Sequence, residues 1–100
     1  MIRHVVLFKL NEKAQKENKK EILKILKTNL DNLKNKIQEI KFFEVGINIL
    51  ESSNSYDIAL NSEFKSLEDL EKYRIHPEHQ KIVDLIKIHC DQRVVVDYEI

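Results

Sequence analysis

Residues 2–10 read Ile-Arg-His-Val-Val-Leu-Phe-Lys-Leu, and this stretch decides the fold because its side chains alternate in character. Every second residue from Ile2 to Leu10 would face one way, while Arg3 and Lys9 would face the other. A period of two is typical of a β-strand, in which successive side chains point to opposite faces of the sheet. Since one of the two faces is almost wholly apolar, we expect this strand to lie in a sheet that is covered on that side.

The spacing of apolar residues becomes helical after this strand. Asn11 is a favourable N-cap residue, and apolar residues then recur at intervals of three and four as far as about Lys36. The predicted buried stripe consists of Ile22, Ile25, Leu26, Leu30, Leu33 and Ile37. The first turns of this helix, residues 13–20, contain no apolar residue except Ala14, so we expect them to be exposed.

Two further stretches alternate and predict a hairpin. Residues 41–50 and 56–64 each have a period of two, and the polar run Ser-Ser-Asn-Ser at 52–55 lies between them as a turn. Gly46 lies inside the first of these strands. A glycine in that position predicts a bulge or the close approach of another backbone.

The last third of the chain predicts two short helices and a final strand. Ser66 has the spacing of a capping box with the acidic residue three positions later, and a helix would follow to about Tyr73. Pro77 breaks this helix because the residue before a proline disfavours the helical conformation. A proline also suits the first turn of a new helix, which we expect to end near Cys90. Residues 93–100 alternate once more as a strand.

The order β-α-β-β-α-β is that of a ferredoxin-like α+β domain, which residues 1–100 would form as one unit. Right-handed crossovers would place both helices on one face of a four-stranded antiparallel sheet. The strand residues that we assign to the side under the helices are Ile2, Val6, Phe8, Phe43, Val45, Ile47, Ile58, Leu60, Phe64, Val94, Val96 and Tyr98.

The opposite face of the predicted sheet is mixed in character. Its apolar members would be Val5, Leu7, Ala59 and Val95. Its charged members would be Arg3, Glu44, Asp57, Glu63, Arg93, Asp97 and Glu99. A face of this kind either meets water or packs against the same face of a second copy around a two-fold axis, where opposite charges would fix the register. The pattern alone leaves both alternatives open.

Composition and charge narrow the class of protein. Seventeen Lys and Arg balance 17 Asp and Glu, so no net charge draws the chain to nucleic acid or to an anionic membrane. Lysines are concentrated on the predicted first helix, but no aromatic residues interleave with them, so we interpret them as a solvated face. The single cysteine, Cys90, allows no intramolecular disulfide, and no apolar run is long enough to cross a bilayer. We therefore expect a cytoplasmic protein with no nucleic-acid partner and no membrane partner.

Several short motifs, taken together, resemble those of a known family. They are residues 2–9, Glu44-Val-Gly46, Tyr56-Asp57, the series Phe64, Leu67, Leu70 and Tyr73, then His76-Pro-Glu-His79 and Val95-Val-Asp-Tyr98. In this order they resemble the stress-responsive A/B-barrel family. The resemblance implies a homodimer, a dimeric α+β barrel in which the sheets of two ferredoxin-like protomers face each other. The family often has Pro-Gly before the second strand; this chain has Gln-Glu-Ile-Lys at 38–41, which affects only a loop.

The same resemblance implies mixed functions. Many members of the family are uncharacterised or associated with stress, and bacterial members of this size mostly have no assigned reaction. Some plant members cyclise linear polyketides with histidines that match His4 and His79 of this chain.

Three side chains are the candidates for acid–base chemistry, and histidine comes first because it alone titrates near neutral pH without help. His4 lies on the apolar face of the first strand, either as a pocket base or as a core histidine bonded to a backbone carbonyl or a tyrosine. His79 stands in the first turn of its helix, where the dipole disfavours imidazolium, and is either a general base or a residue packed over the core. Tyr73 would either supply a phenol to the same space or fill the core as an aromatic plug.

The remaining reactive groups are weaker candidates. We expect His76 in a loop and His89 on the surface. Cys90, at a helix C-terminus, is not activated because the dipole there opposes the thiolate. Pro77 takes His76 out of the helical frame of His79, and no third ligand is evident, so we predict no metal site built on these histidines. We also predict no cofactor. Binding of Mg²⁺ through carboxylates is an alternative that the sequence leaves open.

Two functions are compatible with these residues. The first is a stress-associated domain whose pocket, between sheet and helices, binds a small apolar or aromatic molecule without turnover. The second is a cofactor-independent cyclase or isomerase, in which His79 or His4 takes a proton next to a carbonyl and the other ring or Tyr73 holds the oxyanion. We rank the first slightly ahead because a fold does not determine a reaction.

Overall fold

Four strands, four α-helices and a short 3₁₀-helix (Leu33–Asn35) make up the structure, a computed structural model that describes residues 1–100. The elements are β1 (Ile2–Leu10), α1 (Glu12–Lys16), α2 (Lys19–Asn32), β2 (Phe42–Ile47), β3 (Ile58–Phe64), α3 (Leu67–Ile75), α4 (Pro77–His89) and β4 (Cys90–Glu99). The strands form one antiparallel sheet in the order β2-β3-β1-β4. The predicted ferredoxin-like arrangement is therefore confirmed. No helix is long and apolar enough to span a bilayer.

The predicted first helix is divided at Asn18, which adopts a left-handed conformation with φ of 55°. Asn11 caps α1 as predicted, because its side chain accepts a hydrogen bond from the backbone N–H of Ala14 at 2.9 Å. In α2 the predicted burial of Ile25 is wrong: it is 43% exposed, and Leu23 is buried instead. The buried stripe continues from Leu23 in regular steps of three and four, and Ile25 lies beside it.

The two C-terminal helices begin at side-chain caps. Ser66 accepts a hydrogen bond from the backbone N–H of Asp69 at 3.2 Å, which confirms the predicted start of α3. His76 was expected in a loop, and it is the N-cap of α4, since its Nδ1 accepts from the backbone N–H of Glu78 at 3.1 Å. Pro77 occupies the first position of α4, where its missing N–H has no helical partner to lose.

The core lies between the helices and the strands β1, β2 and β3. Its most completely buried side chains are Tyr73, Phe64, Leu26, Leu30, Leu33, Ile37, Leu60, Val6 and Ser62. The edge strand β4 is different, because residues 91–99 are all exposed on both of its faces. The helices therefore leave β4 almost uncovered.

The register of β4 reverses our assignment of its two faces. The deciding pairs are Val5 with Val96, Leu7 with Val94, and Val6 with Val95. Directly paired residues lie on the same face of a sheet. Val94, Val96 and Tyr98 therefore lie on the open face, and Val95 lies on the helix side, so both predictions were wrong. Alternation shows which residues of a strand share a face, but both faces of this strand contain valine, and only pairing shows which one meets the helices.

The predicted bulge at Gly46 is also wrong. Gly46 pairs regularly with Ala59, and nothing lies within 4 Å of the position that a Cβ would take. The irregularity in the sheet lies between Lys9 and Leu10, where β1 meets β4.

Asp57 is buried instead of lying on the open face. One of its carboxylate oxygens accepts from the backbone N–H of Leu10 at 2.9 Å and from Nε2 of Gln15 at 2.8 Å. The other oxygen lies 3.4 Å from Nζ of Lys19. This carboxylate ties the start of β3 to the end of β1 and to the first two helices.

Candidate functional site

His4, Tyr73 and His79 come together where the core meets β4, and we call them the histidine–tyrosine cluster. The Tyr73 ring lies between the two imidazoles, with its centroid 6.1 Å from that of His4 and 4.4 Å from that of His79. β1, α3 and α4 each contribute one of these side chains. The structure therefore brings together all three candidate residues that were selected from the sequence.

His4 is buried and bonded to a carboxylate. Its Nδ1 forms a short hydrogen bond with the Asp97 side chain, which lies directly opposite on β4. Because an ionised carboxylate only accepts, Nδ1 of His4 carries the proton of this bond, and in a neutral ring Nε2 would hold the free lone pair. Sequence reasoning missed Asp97 as a partner, because it placed this residue on the open face; the pairing register would have identified it.

His79 is a half-buried histidine held in one tautomer. Its Nδ1 donates to the backbone carbonyl of Arg74 at 2.9 Å, so its Nε2 is also unprotonated when the ring is neutral. Burial lowers the pKa of His79, the bond to Arg74 opposes this, and the nearby charges of His4 and Arg93 lower it further. The lowered pKa favours the neutral ring near pH 7, and burial is its main cause.

Tyr73 is both a core aromatic and a free hydrogen-bond donor. Its ring packs on Phe64 at a centroid distance of 4.9 Å, and the residue is only 1% exposed. Its hydroxyl nevertheless has no hydrogen-bond partner among the protein atoms. Burial raises the pKa of this phenol, which the charge of Arg93 opposes only in part, so the hydroxyl keeps its proton. The site thus contains a buried donor whose hydrogen-bonding capacity is unused.

An open strip of β4 borders the cluster. Arg93, Val95 and Asp97 face the helix side, because the residues they pair with on β1 do so, and Val95 is 46% exposed. A separate polar cleft of about 420 Å³ lies at the other end of β1, beside Lys9 and Asp57. None of the five main clefts is lined by His4, Tyr73 or His79, so the predicted pocket between sheet and helices does not appear among them. The cluster lies at the margin of the core, beside this strip.

Sequence comparison adds the family to this geometry. The profile of the stress responsive A/B barrel domain matches residues 2–100. The chain belongs to the stress-responsive A/B-barrel family. An uncharacterized protein of Streptomyces coelicolor is 33% identical to it over 99 residues, which are 99% of each chain. A stress-response A/B barrel domain-containing protein of Arabidopsis thaliana is 32% identical over 85 residues, which are 83% of this chain and 39% of that protein.

This A/B-barrel chain is similar in structure to a dimeric relative. The protein, from Bacteroides fragilis, is described as dimeric, with a ferredoxin-like fold and unknown function. It is 35% identical, with a TM-score of 0.88, and the match covers 99% of this chain and 95% of that one. The family and the fold are thus shown, whereas no ligand or reaction follows from these relatives.

The other reactive groups of this A/B-barrel chain do not form a second centre. No three His, Cys, Asp or Glu side chains come together as metal ligands. Burial raises the pKa of the Cys90 thiol to about 11, with a further contribution from Asp57 and Asp91. Cys90 is therefore a neutral thiol at physiological pH, as predicted from its position.

Proposed function

We propose that this chain is a homodimeric A/B-barrel protein that binds a small apolar or aromatic molecule carrying an oxygen at the histidine–tyrosine cluster. The observation that carries the proposal is the buried Tyr73 hydroxyl without a protein partner. A buried polar group without a hydrogen bond costs about 1–3 kcal/mol, which a ligand carbonyl or hydroxyl would recover. The exposed side chain of Val95 offers apolar surface for the body of the same molecule.

The open face of the sheet supports the homodimer. Its central side chains are Val5, Leu7, Ala59, Val94 and Val96. At one end of this apolar row Arg3 forms an ion pair with Glu63 at 2.6 Å. An apolar patch rimmed by charge is typical of a protein–protein contact. Dimerisation through this face would leave the cluster free, because the cluster lies on the other side of the sheet.

Binding of acetophenone tests the proposal with a neutral aromatic ketone. Its carbonyl would accept a hydrogen bond from Tyr73, and we expect acetophenone to shift the imidazole resonances of His79 in an NMR titration. Tyr73→Phe keeps the ring and removes the donor, so it should weaken binding about tenfold.

Tyr56→Phe is the matched control for this titration, because the Tyr56 hydroxyl is exposed and donates to Gln92 at 3.3 Å. Acetophenone should bind this variant as it binds the wild type. Equal affinity of wild type and Tyr73→Phe, or a titration that leaves the His79 resonances unmoved, would contradict the proposed site.

A second candidate function, acid–base catalysis, is favoured by the two imidazoles. His4 and His79 each form their hydrogen bond through Nδ1, so in a neutral ring the proton would lie on Nδ1 and Nε2 would remain as a base. Asp97 would stabilise the imidazolium that His4 forms on accepting a proton, and the Tyr73 hydroxyl could donate to the oxyanion. The site would then remove a proton from the carbon next to a carbonyl and return it elsewhere.

Deuterium exchange into the methyl group of acetophenone in D₂O separates catalysis from binding. A base in the site breaks a C–H bond and returns a deuteron, which reduces the methyl signal in the NMR spectrum. His79→Gln should abolish exchange above the background rate if the site is catalytic. Binding with no exchange above background would leave the binding function and remove the catalytic one.

A further inference from the structure

Arg93 differs from the other two arginines of the chain. Arg3 is paired with Glu63 at 2.6 Å, and Arg74 is paired with Glu71 at 2.7 Å. Arg93 forms no ion pair with any carboxylate, and its side chain is exposed. An unpaired guanidinium has five donors in a planar fork that fits a carboxylate.

The position of Arg93 connects it to the histidine–tyrosine cluster. It pairs with Phe8 on β1, so it lies on the helix side of the sheet, on the same face as His4 and Asp97. Arg93, Val95 and Asp97 alternate along the same face of β4, and Asp97 bonds to His4, so Arg93 lies on the exposed strip that borders the cluster. The positive charge of Arg93 also tends to lower the pKa of Tyr73 and of His79. The Asp97 carboxylate is occupied by His4. No carboxylate of the protein therefore forms an ion pair with the Arg93 guanidinium at this edge of the cluster.

Resting on the proposed function, we infer that the ligand of the cluster is an aromatic or apolar carboxylic acid whose carboxylate pairs with Arg93. The apolar body of the acid would lie along Val95, between Arg93 and Asp97 on the exposed strip of β4. The Tyr73 hydroxyl would donate to an oxygen of the same ligand. Charge-assisted bonds from a guanidinium fork are about twice as strong as neutral ones, so the carboxylate selects the ligand class.

A purely protective role for Arg93 is the alternative explanation. Charged residues on an exposed edge strand discourage pairing with other chains, and β4 is an edge strand of ten residues. In that role Arg93 would have no preference among small ligands. The two roles therefore differ in whether a carboxylate binds better than its neutral analogue.

Benzoate and benzamide are the probes, because they have nearly the same shape and differ in charge. Each is titrated into the purified chain of 100 residues, and the dissociation constant is taken from the His79 imidazole shift by NMR. Benzoate should bind about tenfold more tightly than benzamide, and added salt should weaken benzoate more than benzamide. Arg93→Gln should remove this preference.

Lys87→Gln is the matched control, since Lys87 is exposed on α4. This substitution removes the same single positive charge as Arg93→Gln. It should keep the preference for benzoate. Equal affinities for the two probes in the wild type, or a preference for benzoate that survives Arg93→Gln, would overturn the inference. The proposed function would still stand if Tyr73→Phe weakens the binding of both probes. If neither probe moves the His79 resonance, both the inference and the proposed function are contradicted.

Discussion

Tyr73→Phe should make the free protein more stable, although it removes a polar atom from the centre of the candidate site. The ring is packed against Phe64 and His79 and stays in place, while the hydroxyl that disappears has no protein partner. An unsatisfied buried hydroxyl costs about 1–3 kcal/mol of stability, which the variant would regain. Part of this gain is offset because the van der Waals contacts of the removed oxygen disappear. We therefore expect the free energy of unfolding to rise by about 1 kcal/mol.

Thermal and urea unfolding measure this change. For a chain of 100 residues, about 1 kcal/mol corresponds to a rise in Tm of about 4–8 °C. Because a dimer has a concentration-dependent Tm, wild type and variant are compared at the same protomer concentration. The m-values should agree, which shows that the unfolded states expose the same surface.

Tyr56→Phe provides the comparison, since the Tyr56 hydroxyl is exposed and already bonded to Gln92. Its Tm should stay within about 2–4 °C of the wild type, as exposed substitutions change stability by about 0.5 kcal/mol or less. A fall in the Tm of Tyr73→Phe would show that the hydroxyl is satisfied in the resting protein. The Tyr73 hydroxyl would then have no unused hydrogen bond to offer a ligand.

Three further predictions concern the pH dependence, the dimer and the core. The pKa of His79 should lie below the ordinary 6.5, because burial disfavours the charged ring, and an NMR titration of the imidazole would measure it. The contribution of the neutral ring to the free energy of unfolding is then complete above pH 6.5 and is lost as the pH falls through the lowered pKa. Urea unfolding at several pH values would show this loss. Val96→Asp should raise the dimer dissociation constant about 100-fold or more in analytical ultracentrifugation, since it buries a carboxylate in the proposed interface. Val95→Asp, on the helix side of the sheet, should stay dimeric. The same dissociation constant for both variants would contradict that interface. Asp57→Ala should lower the free energy of unfolding, measured by urea unfolding, by about 2–4 kcal/mol, because it leaves the backbone N–H of Leu10 without its acceptor. A loss below about 1 kcal/mol would mean that water replaces the carboxylate.

Much of the fold followed from local patterns. The alternation of residues 2–10 and the capping position of Ser66 predicted elements that the structure contains, because period and capping depend on neighbours within a few residues. The division of the first helix at Asn18 was not predicted, because a single asparagine in a left-handed conformation has no distinct pattern in the sequence.

Most of the candidate site was also predictable by residue. His4, Tyr73 and His79 were chosen for their chemistry and for the faces on which periodicity places them, and the structure brings their rings together. Asp97 and Arg93 were not assigned to the site, because both were placed on the open face. The unused hydroxyl of Tyr73 could not be foreseen either, since it depends on which atoms surround it.

The sequence by itself determined the order of the elements, the family and the three candidate side chains, because these depend on residue type and local spacing. The tertiary structure alone decided the pairing of β1 with β4, which places Asp97 opposite His4 and turns Val96 toward the open face. The physical reason is that register depends on contacts between residues about 90 positions apart, and a shift of one residue moves every side chain of a strand to the other face.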